Sequence, residues 1–257
     1  MTYCLALKLR EGLVFASDSR TTAGVDYIST YRKMHTFQPS ADRLIVLLTS
    51  GNLATTQEVL DNLRRDLAAP EVAENFATVA YLFEAARYLG KVLAAVVEQH
   101  AGALKASGAD ARASLILGGQ IAGQPPELYL VYPEGNYVAA TEETPFLQLG
   151  EFKYGKPILS RIASPELSLD EGARLALISF DAAMKSNLSV GPPVELAIYA
   201  RDTLEVAHHL SLDEDSEFLR SLCRRWNEQL KDAFRQLPRF EWEQPSNPLA
   251  PVTAARS

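Results

Sequence analysis

Hydrophobic residues over the first fifty positions fall into short extended runs rather than helical stripes. Segments Thr2–Leu9, Gly12–Ser17, Tyr27–Phe37 and Arg43–Thr49 are rich in Leu, Val, Ile, Tyr and Thr and are separated by turns containing Gly and Arg, the pattern of paired antiparallel strands. After Gly51 the period lengthens to three and four. Helices are predicted over Thr55–Leu67 and, beyond Pro70, over Phe76–Lys105, where Phe76, Val79, Ala80, Phe83, Ala86 and Tyr88 recur at helical spacing. A second group of strands follows at Ala113–Leu117, Glu127–Tyr132 and Tyr137–Thr141, with Gly118–Gly119 and Glu134–Gly135–Asn136 as turns. Helical spacing returns at Lys156–Ile162 and Leu169–Lys185. Ser168 precedes the second of these with Glu171 three residues on, a capping box. Val194–Ala200 and Val206–Leu210 read as two more strands. Glu217–Leu237 reads as a last amphipathic helix carrying Phe218, Leu222, Trp226, Leu230 and Phe234.

The order strands, helices, strands, helices predicts an α+β fold, a four-layer αββα sandwich of two antiparallel sheets covered by helices on both outer sides. Runs such as Leu44–Leu48, apolar without alternation, suit strands buried on both faces. A doubly wound parallel sheet is disfavoured because strands and helices do not alternate one by one. One domain is expected over residues 1–240, with 241–257, which carries prolines and little periodicity, as a surface tail.

Composition narrows the classes of function. The net charge of −7 has the wrong sign for a chain that must neutralise phosphates, so no nucleic-acid partner is expected. No run of eighteen apolar residues suggests a membrane span, and Lys8 and Arg10 interrupt the N-terminal run too early for a signal peptide. A cytoplasmic location is expected. Cys4 and Cys223 lie far apart with no metal-ligand spacing, and the four histidines are scattered, so neither a disulfide framework nor a metal site is predicted. Walker, GxGxxG and GxSxG spacings are absent, and no cofactor is expected.

The candidate chemistry starts at Thr2. Removal of Met1 would leave a hydroxyl and a free α-amine on one residue. Such an amine has a pKa of about 7.7–8.0, so at neutral pH part of it can accept the hydroxyl proton. A turn at Arg10–Glu11–Gly12 would fold the first strand onto the second, placing Leu9 near Leu13, Cys4 near Asp18 and Thr2 near Arg20. Thr2, Cys4, Asp18 and Arg20 would then share a face, with Asp18 diagonal to Thr2. A lysine between them would be held by the carboxylate and would lower the pKa of the hydroxyl. Lys33 is the candidate, with Arg32 the neighbouring cation. Singly these residues say little: Thr after Met is common, Asp-Ser-Arg is a turn composition, and Lys33 reads as a strand-edge charge. Their combination on one face carries the reading.

The run TYCLALKLREGLVFASDSRTTAGVDYIS resembles the opening of proteasome β-type subunits, with Thr2, Gly12, Asp18, Ser19, Arg20, Thr22 and Gly24 on the family's positions. The short N-terminus and the KSNLSVGPP segment are most similar to the bacterial proteasome-related subunits of the Anbu type. The resemblance implies an N-terminal nucleophile hydrolase acting on amide bonds as a homo-oligomer, in a ring or an open helical arrangement. It assigns Lys33 as the family's lysine and the backbone N–H of Gly51, in Thr49-Ser50-Gly51, to the oxyanion hole. Ser189 takes the supporting hydroxyl. Thr21, Thr49 and Leu53 would wall the pocket for the substrate side chain, small and apolar walls that favour a neutral residue. Two departures alter the support: Glu151 stands where a serine usually follows Gly150, and Ser186 where an aspartate is usual.

The function expected is a threonine-type endopeptidase or amidohydrolase cleaving peptides or unfolded proteins through Thr2. The rivals are a non-catalytic structural subunit of a proteasome-like assembly and a hydrolase of small amides. Nothing in the sequence indicates an ATP-dependent unfoldase as a partner.

Overall fold

The computed structural model describes residues 2–22, 28–69 and 71–243. The first sheet is built on the hairpin of β1 (Tyr3–Leu9) and β2 (Gly12–Asp18); β10 (Phe146–Gly150) flanks β1, and β11 (Val194–Ala200) and β12 (Val206–Leu212) extend the other side, in the order β10-β1-β2-β11-β12. The second sheet runs β5-β6-β7-β8-β9, from β5 (Met34–Ser40), β6 (Arg43–Gly51), β7 (Ala113–Ile121), β8 (Glu127–Val131) and β9 (Tyr137–Ala139). Every pairing is antiparallel. A separate ribbon joins β3 (Arg20–Thr22) to β4 (Ile28–Thr30).

Three apolar layers hold the sandwich together. Between the sheets lie Cys4, Ala6, Leu13 and Phe15 from the first, facing Leu44, Val46, Leu48 and Ile116 from the second. The alternate residues Ile45 and Leu47 turn outward against α1 (Leu53–Ala68) and α2 (Leu82–Ala106). On the far side, Tyr3, Leu5, Leu7 and Val14 pack against α3 (Phe152–Ile162) and α4 (Leu169–Ser186), with Leu219 from α5 (Glu217–Arg235) beside them. Both faces of β1, β2 and β6 are therefore dry, which is why their sequences read as continuous apolar runs. The expected αββα architecture is the observed one.

Several local expectations need correction. Gly118–Gly119 is not a turn but the middle of β7. A Cβ on Gly118 would lie 2.3 Å from Leu128 Cδ2 and 2.7 Å from Phe15 Cε1, so glycine is there to let the ring of the opposite sheet approach. The segment expected as one strand over Tyr27–Phe37 is two, β4 and β5, with Tyr27 outside the described residues. Arg20, expected at the end of the first hairpin opposite Thr2, instead opens a separate strand, Arg20–Thr22, and β10 lies where the sequence pattern predicts no strand. The second helix starts at Leu82 rather than Phe76. Phe76 and Val79 are still buried in its core layer, but they sit in irregular chain. The capping box at Ser168 is present, with the Glu171 N–H donating to Ser168 Oγ and the Ser168 N–H to Glu171 Oε2. Of the tail, Glu241–Glu243 forms a single 3-10 turn and residues 244–257 lie outside the described part. Among the described residues no helix is long and apolar enough to cross a membrane.

Gly118→Val should force the inter-sheet layer apart and cost about 1–3 kcal/mol, the usual range for overpacking. Urea unfolding of the wild type and the variant measures it, and an unchanged midpoint would show that Phe15 and Leu128 yield freely.

Candidate active site

The hairpin sets the site, and its register differs from expectation by one residue. Leu9 pairs with Gly12 and Cys4 with Ser17, so the turn is the two-residue Arg10–Glu11, and Thr2 comes beside Ser19 rather than Arg20. One step beyond the last pair, Tyr3 meets Asp18. The Tyr3 N–H donates to Asp18 Oδ1 at 3.0 Å, so a side chain takes over where the backbone ladder stops. Tyr3 itself is anchored deep in the sandwich. Its hydroxyl bonds Ser179 Oγ at 2.6 Å and accepts from Gln148 Nε2 at 2.6 Å, and its ring packs on Phe180. This anchor was not anticipated, because a Tyr beside Thr2 carries no motif.

The same carboxylate oxygen receives Lys33. Its Nζ lies 2.8 Å from Asp18 Oδ1 and 2.6 Å from the Arg20 carbonyl oxygen, and both charged side chains are buried. Burial pushes the Asp18 carboxyl up from the ordinary carboxylate range; the Lys33 ammonium and the Tyr3 N–H oppose that and favour the charged form. Arg32 is excluded from this position. Its Nε donates instead to Glu195 Oε1 at 3.2 Å. The lysine of the site is thus Lys33.

Thr2, half-buried at the head of β1, is fixed through its backbone. Its carbonyl accepts the Glu151 N–H at 2.9 Å. Gly150, at φ +76°, lies so close that a Cβ there would sit 1.7 Å from the Thr2 carbonyl oxygen, so only glycine fits beside the terminus. Glu151 turns its side chain inward. The carboxylate is buried, with no hydrogen-bond partner for Oε2 among the described residues and Lys153 Nζ 4.0 Å away.

Arg20 contributes its carbonyl to Lys33, while its guanidinium turns away to the Leu188 carbonyl at 3.2 Å and lies against Gly191. That contact moors the KSNLSVGPP loop. Ser19 is buried; its N–H donates to the Pro193 carbonyl and its own carbonyl accepts the Tyr31 N–H, both at 2.9 Å. Ser189 is half-buried, and its N–H bonds Asn187 Oδ1 at 2.9 Å; among the described residues no hydrogen bond joins its hydroxyl to Asp18 or Lys33. Ser186 is exposed at the end of α4. The structure therefore unites Asp18, Lys33 and the Arg20 carbonyl tightly next to Thr2 and leaves the two serines in an outer loop.

On the other side, Thr49 at the end of β6 is locked to the same lysine. The Thr49 N–H donates to the Lys33 carbonyl at 2.9 Å, and the Cys4 thiol reaches the Thr49 carbonyl at 3.7 Å. Gly51 closes β6 at φ +112° just before α1, whose Asn52 cap accepts the Thr55 N–H. Thr49 and Leu53 line a concavity of about 480 Å³ that also takes in Tyr31, Arg32, His35 and Arg64. Its walls are more polar and more basic than the small apolar pocket expected. Thr21 lies in β3 opposite Ser29. Burial, and then Arg64 and Arg32, hold His35 down from 6.5 to about 4.

The layering of helices on two antiparallel sheets, with the first strand opening on Thr2 beside a buried carboxylate–ammonium pair, is that of the N-terminal nucleophile hydrolase fold. The chain belongs to the proteasome subunit family, whose family model, described as proteasome subunit, matches residues 2–199. The solved structures it resembles include Anbu (ancestral beta-subunit) from Yersinia bercovieri, 42% identical with a TM-score of 0.86, covering 93% of this chain and 100% of that one. An Anbu (Gly-1) mutant from Hyphomicrobium sp. strain MC1 is 41% identical with a TM-score of 0.87, over 94% and 100% of the two chains. A helical assembly of the Anbu complex from Pseudomonas aeruginosa is 43% identical with a TM-score of 0.86, over 93% and 98%. Among curated proteins, a proteasome subunit beta of Haloquadratum walsbyi is 22% identical over 214 residues, 83% of this chain and 79% of that protein. A proteasome-like peptidase or a related subunit is the function this membership supports.

The unfolded chain binds a proton at His35 near its ordinary value, whereas the folded chain refuses it until about pH 4. His35 therefore adds stability that is complete above about pH 6.5 and is lost as the pH falls toward 4. Urea midpoints measured from pH 7.5 to 4.5 should fall more steeply for the wild type than for His35→Gln. Parallel curves would contradict this.

Proposed function

We propose that this protein is a threonine-type peptidase whose nucleophile is Thr2, exposed by removal of Met1. The observation that carries the proposal is the buried Asp18–Lys33 pair, hydrogen-bonded to the amide of the residue that follows Thr2. Two apolar side chains could join the sheets at this point at no greater cost than a desolvated ion pair, so stability alone does not account for the charges. Beside an N-terminal alcohol the ammonium has a chemical purpose. It favours the alkoxide and discourages a second positive charge on the nearby amine.

In the proposed reaction the α-amine of Thr2, directly or through a water, takes the hydroxyl proton as Oγ attacks the peptide carbonyl. The tetrahedral oxyanion is received by the Gly51 N–H, near the start of α1, where the helix dipole favours negative charge. Collapse breaks the C–N bond, and the leaving amine carries off the proton from the α-ammonium. Water, deprotonated by the freed amine, then hydrolyses the ester on Thr2 and restores the alcohol. Asp18 fixes Lys33, and the Arg20 carbonyl directs its third dimension. In the proposal Ser189 is the supporting hydroxyl, carried by the loop that Arg20 moors, Ser186 lies exposed at the end of α4, and Glu151 replaces a supporting hydroxyl with a carboxylate.

The helical assembly in the Pseudomonas aeruginosa relative supports a homo-oligomeric particle, and a cytoplasmic location and action on peptides or unfolded chains complete the proposal. The buried carboxylate of Glu151, whose Oε2 has no hydrogen-bond partner among the described residues, favours one rival, a structural subunit with a weakened site.

Intact mass should show loss of Met1, and fluorogenic peptides or amides should be turned over. Thr2→Ala should abolish turnover and Thr2→Ser should retain it. Lys33→Ala should lower kcat by roughly 10²–10⁴-fold, the scale of a lost proton-transfer partner, with circular dichroism confirming folding. A retained Met1, or Thr2→Ala cleaving at the wild-type rate, would leave the structural-subunit reading.

A further inference from the structure

The concavity that takes in Thr49, the residue bonded to the Lys33 carbonyl, carries cations that the threonine mechanism does not use. Thr49, locked to the Lys33 backbone, and Leu53 form the wall nearest the site, and Arg32, His35 and Arg64 form the rest. Asp61 is the one carboxylate among the described lining residues, and it is already matched by Arg64, whose Nη1 donates to Asp61 Oδ1 at 3.0 Å. Arg32 uses Nε on Glu195. The remaining nitrogens of both guanidinium groups have no hydrogen-bond partner among the described residues. His35 Nε2 is buried and unpartnered as well. Arg32, His35 and Arg64 also line an adjoining hollow with His209, and no carboxylate appears among its described walls.

We infer that this pocket selects an acidic side chain, glutamate above all, in the residue that precedes the scissile bond. The inference rests on the proposed peptidase reading and names its substrate class. A carboxylate entering the concavity meets two guanidinium forks, each able to pair bidentately. The His35 ring, kept uncharged at neutral pH by burial first and then by Arg64 and Arg32, is a neutral member of the same wall. Lysine would meet like charge, and leucine would leave the guanidinium groups facing an apolar chain. Both arginines are more than half exposed, at 65% and 56%, so the preference is moderate and sensitive to salt.

Three peptides that differ only by Glu, Leu or Lys before the reporter amide decide the matter. They are measured as substrates of the Met1-processed protein and, by fluorescence anisotropy, as ligands of Thr2→Ala. Glutamate should exceed leucine by about tenfold in kcat/KM and in affinity, the scale of one charge-assisted hydrogen bond, with lysine lowest. The advantage should shrink at 1 M NaCl. Arg64→Glu should reverse the order of Glu and Lys, and the milder Arg64→Gln should reduce the Glu-to-Leu ratio. Selective binding of the glutamyl peptide without cleavage would keep this pocket and reject the threonine chemistry. Cleavage with leucine equal to or better than glutamate would keep the chemistry and overturn the pocket. Absence of both binding and cleavage would overturn both.

Discussion

One ammonium and one carboxylate, both withdrawn from water, tie the two sheets together at a single end of the sandwich. Asp18 closes β2 of the first sheet, and Lys33 stands at the approach to β5 of the second. Desolvating the two charges costs several kcal/mol each, and their mutual attraction offsets this only when the geometry is close and further hydrogen bonds complete the shell. Here Asp18 Oδ1 receives both donors, while Oδ2 is buried with no hydrogen-bond partner among the described residues. The Tyr3 N–H donates to the carboxylate and the Arg20 carbonyl accepts from the ammonium, so each satisfied group fixes a different strand. Withdrawing any one of them would leave a buried charge facing an unsatisfied partner. That coupling makes the position of Thr2, one residue before Tyr3, a consequence of the core rather than of a flexible terminus.

The layers were legible in the sequence because burial on both faces leaves a plain trace. Leu44–Leu48 is apolar at every position, and the structure sends alternate residues to two different cores. The capping box at Ser168 and Glu171 was equally readable, since it depends on four consecutive residues alone. Features that depend on the partner strand were not. Gly118–Gly119 has the composition of a turn, and only the ring of Phe15 across the interlayer explains glycine in a buried strand. The strand β10 is short and follows Pro145, and what recruits it is the free edge of β1. Of the candidate site, the identities of Asp18 and Lys33 followed from type and spacing. Their geometry did not, because a two-residue turn in place of a three-residue one moves every partner along the hairpin by one.

That shift has a chemical consequence. With Thr2 opposite Arg20, the guanidinium would lie next to the nucleophile, and two cations would crowd one carboxylate. In the observed register Arg20 points its side chain to the Leu188 carbonyl and offers Lys33 only a carbonyl oxygen. The lysine thereby gains an acceptor rather than a competitor. The same contact holds the loop bearing Ser189 against the residue whose carbonyl receives Lys33.

Arg32 and Lys33 divide two tasks between adjacent residues. Lys33 goes inward to Asp18, and Arg32 pairs with Glu195 while lining the concavity beside Thr49. Glu195 lies on β11 opposite Ser17, the residue that precedes Asp18, so the two cations are received by neighbouring positions of the first sheet. Because one dipeptide is clamped by two adjacent strands, the lysine cannot move away from Asp18 without also moving the arginine in the pocket wall. A substrate side chain that drew Arg32 toward itself would act through one peptide unit on the backbone of Lys33. The Lys33 carbonyl is in turn held by Thr49, two residues before the Gly51 N–H. Pocket wall, lysine and the Gly51 N–H are thus linked by a continuous run of covalent and hydrogen bonds, so in the proposed reaction selectivity and reactivity should change together.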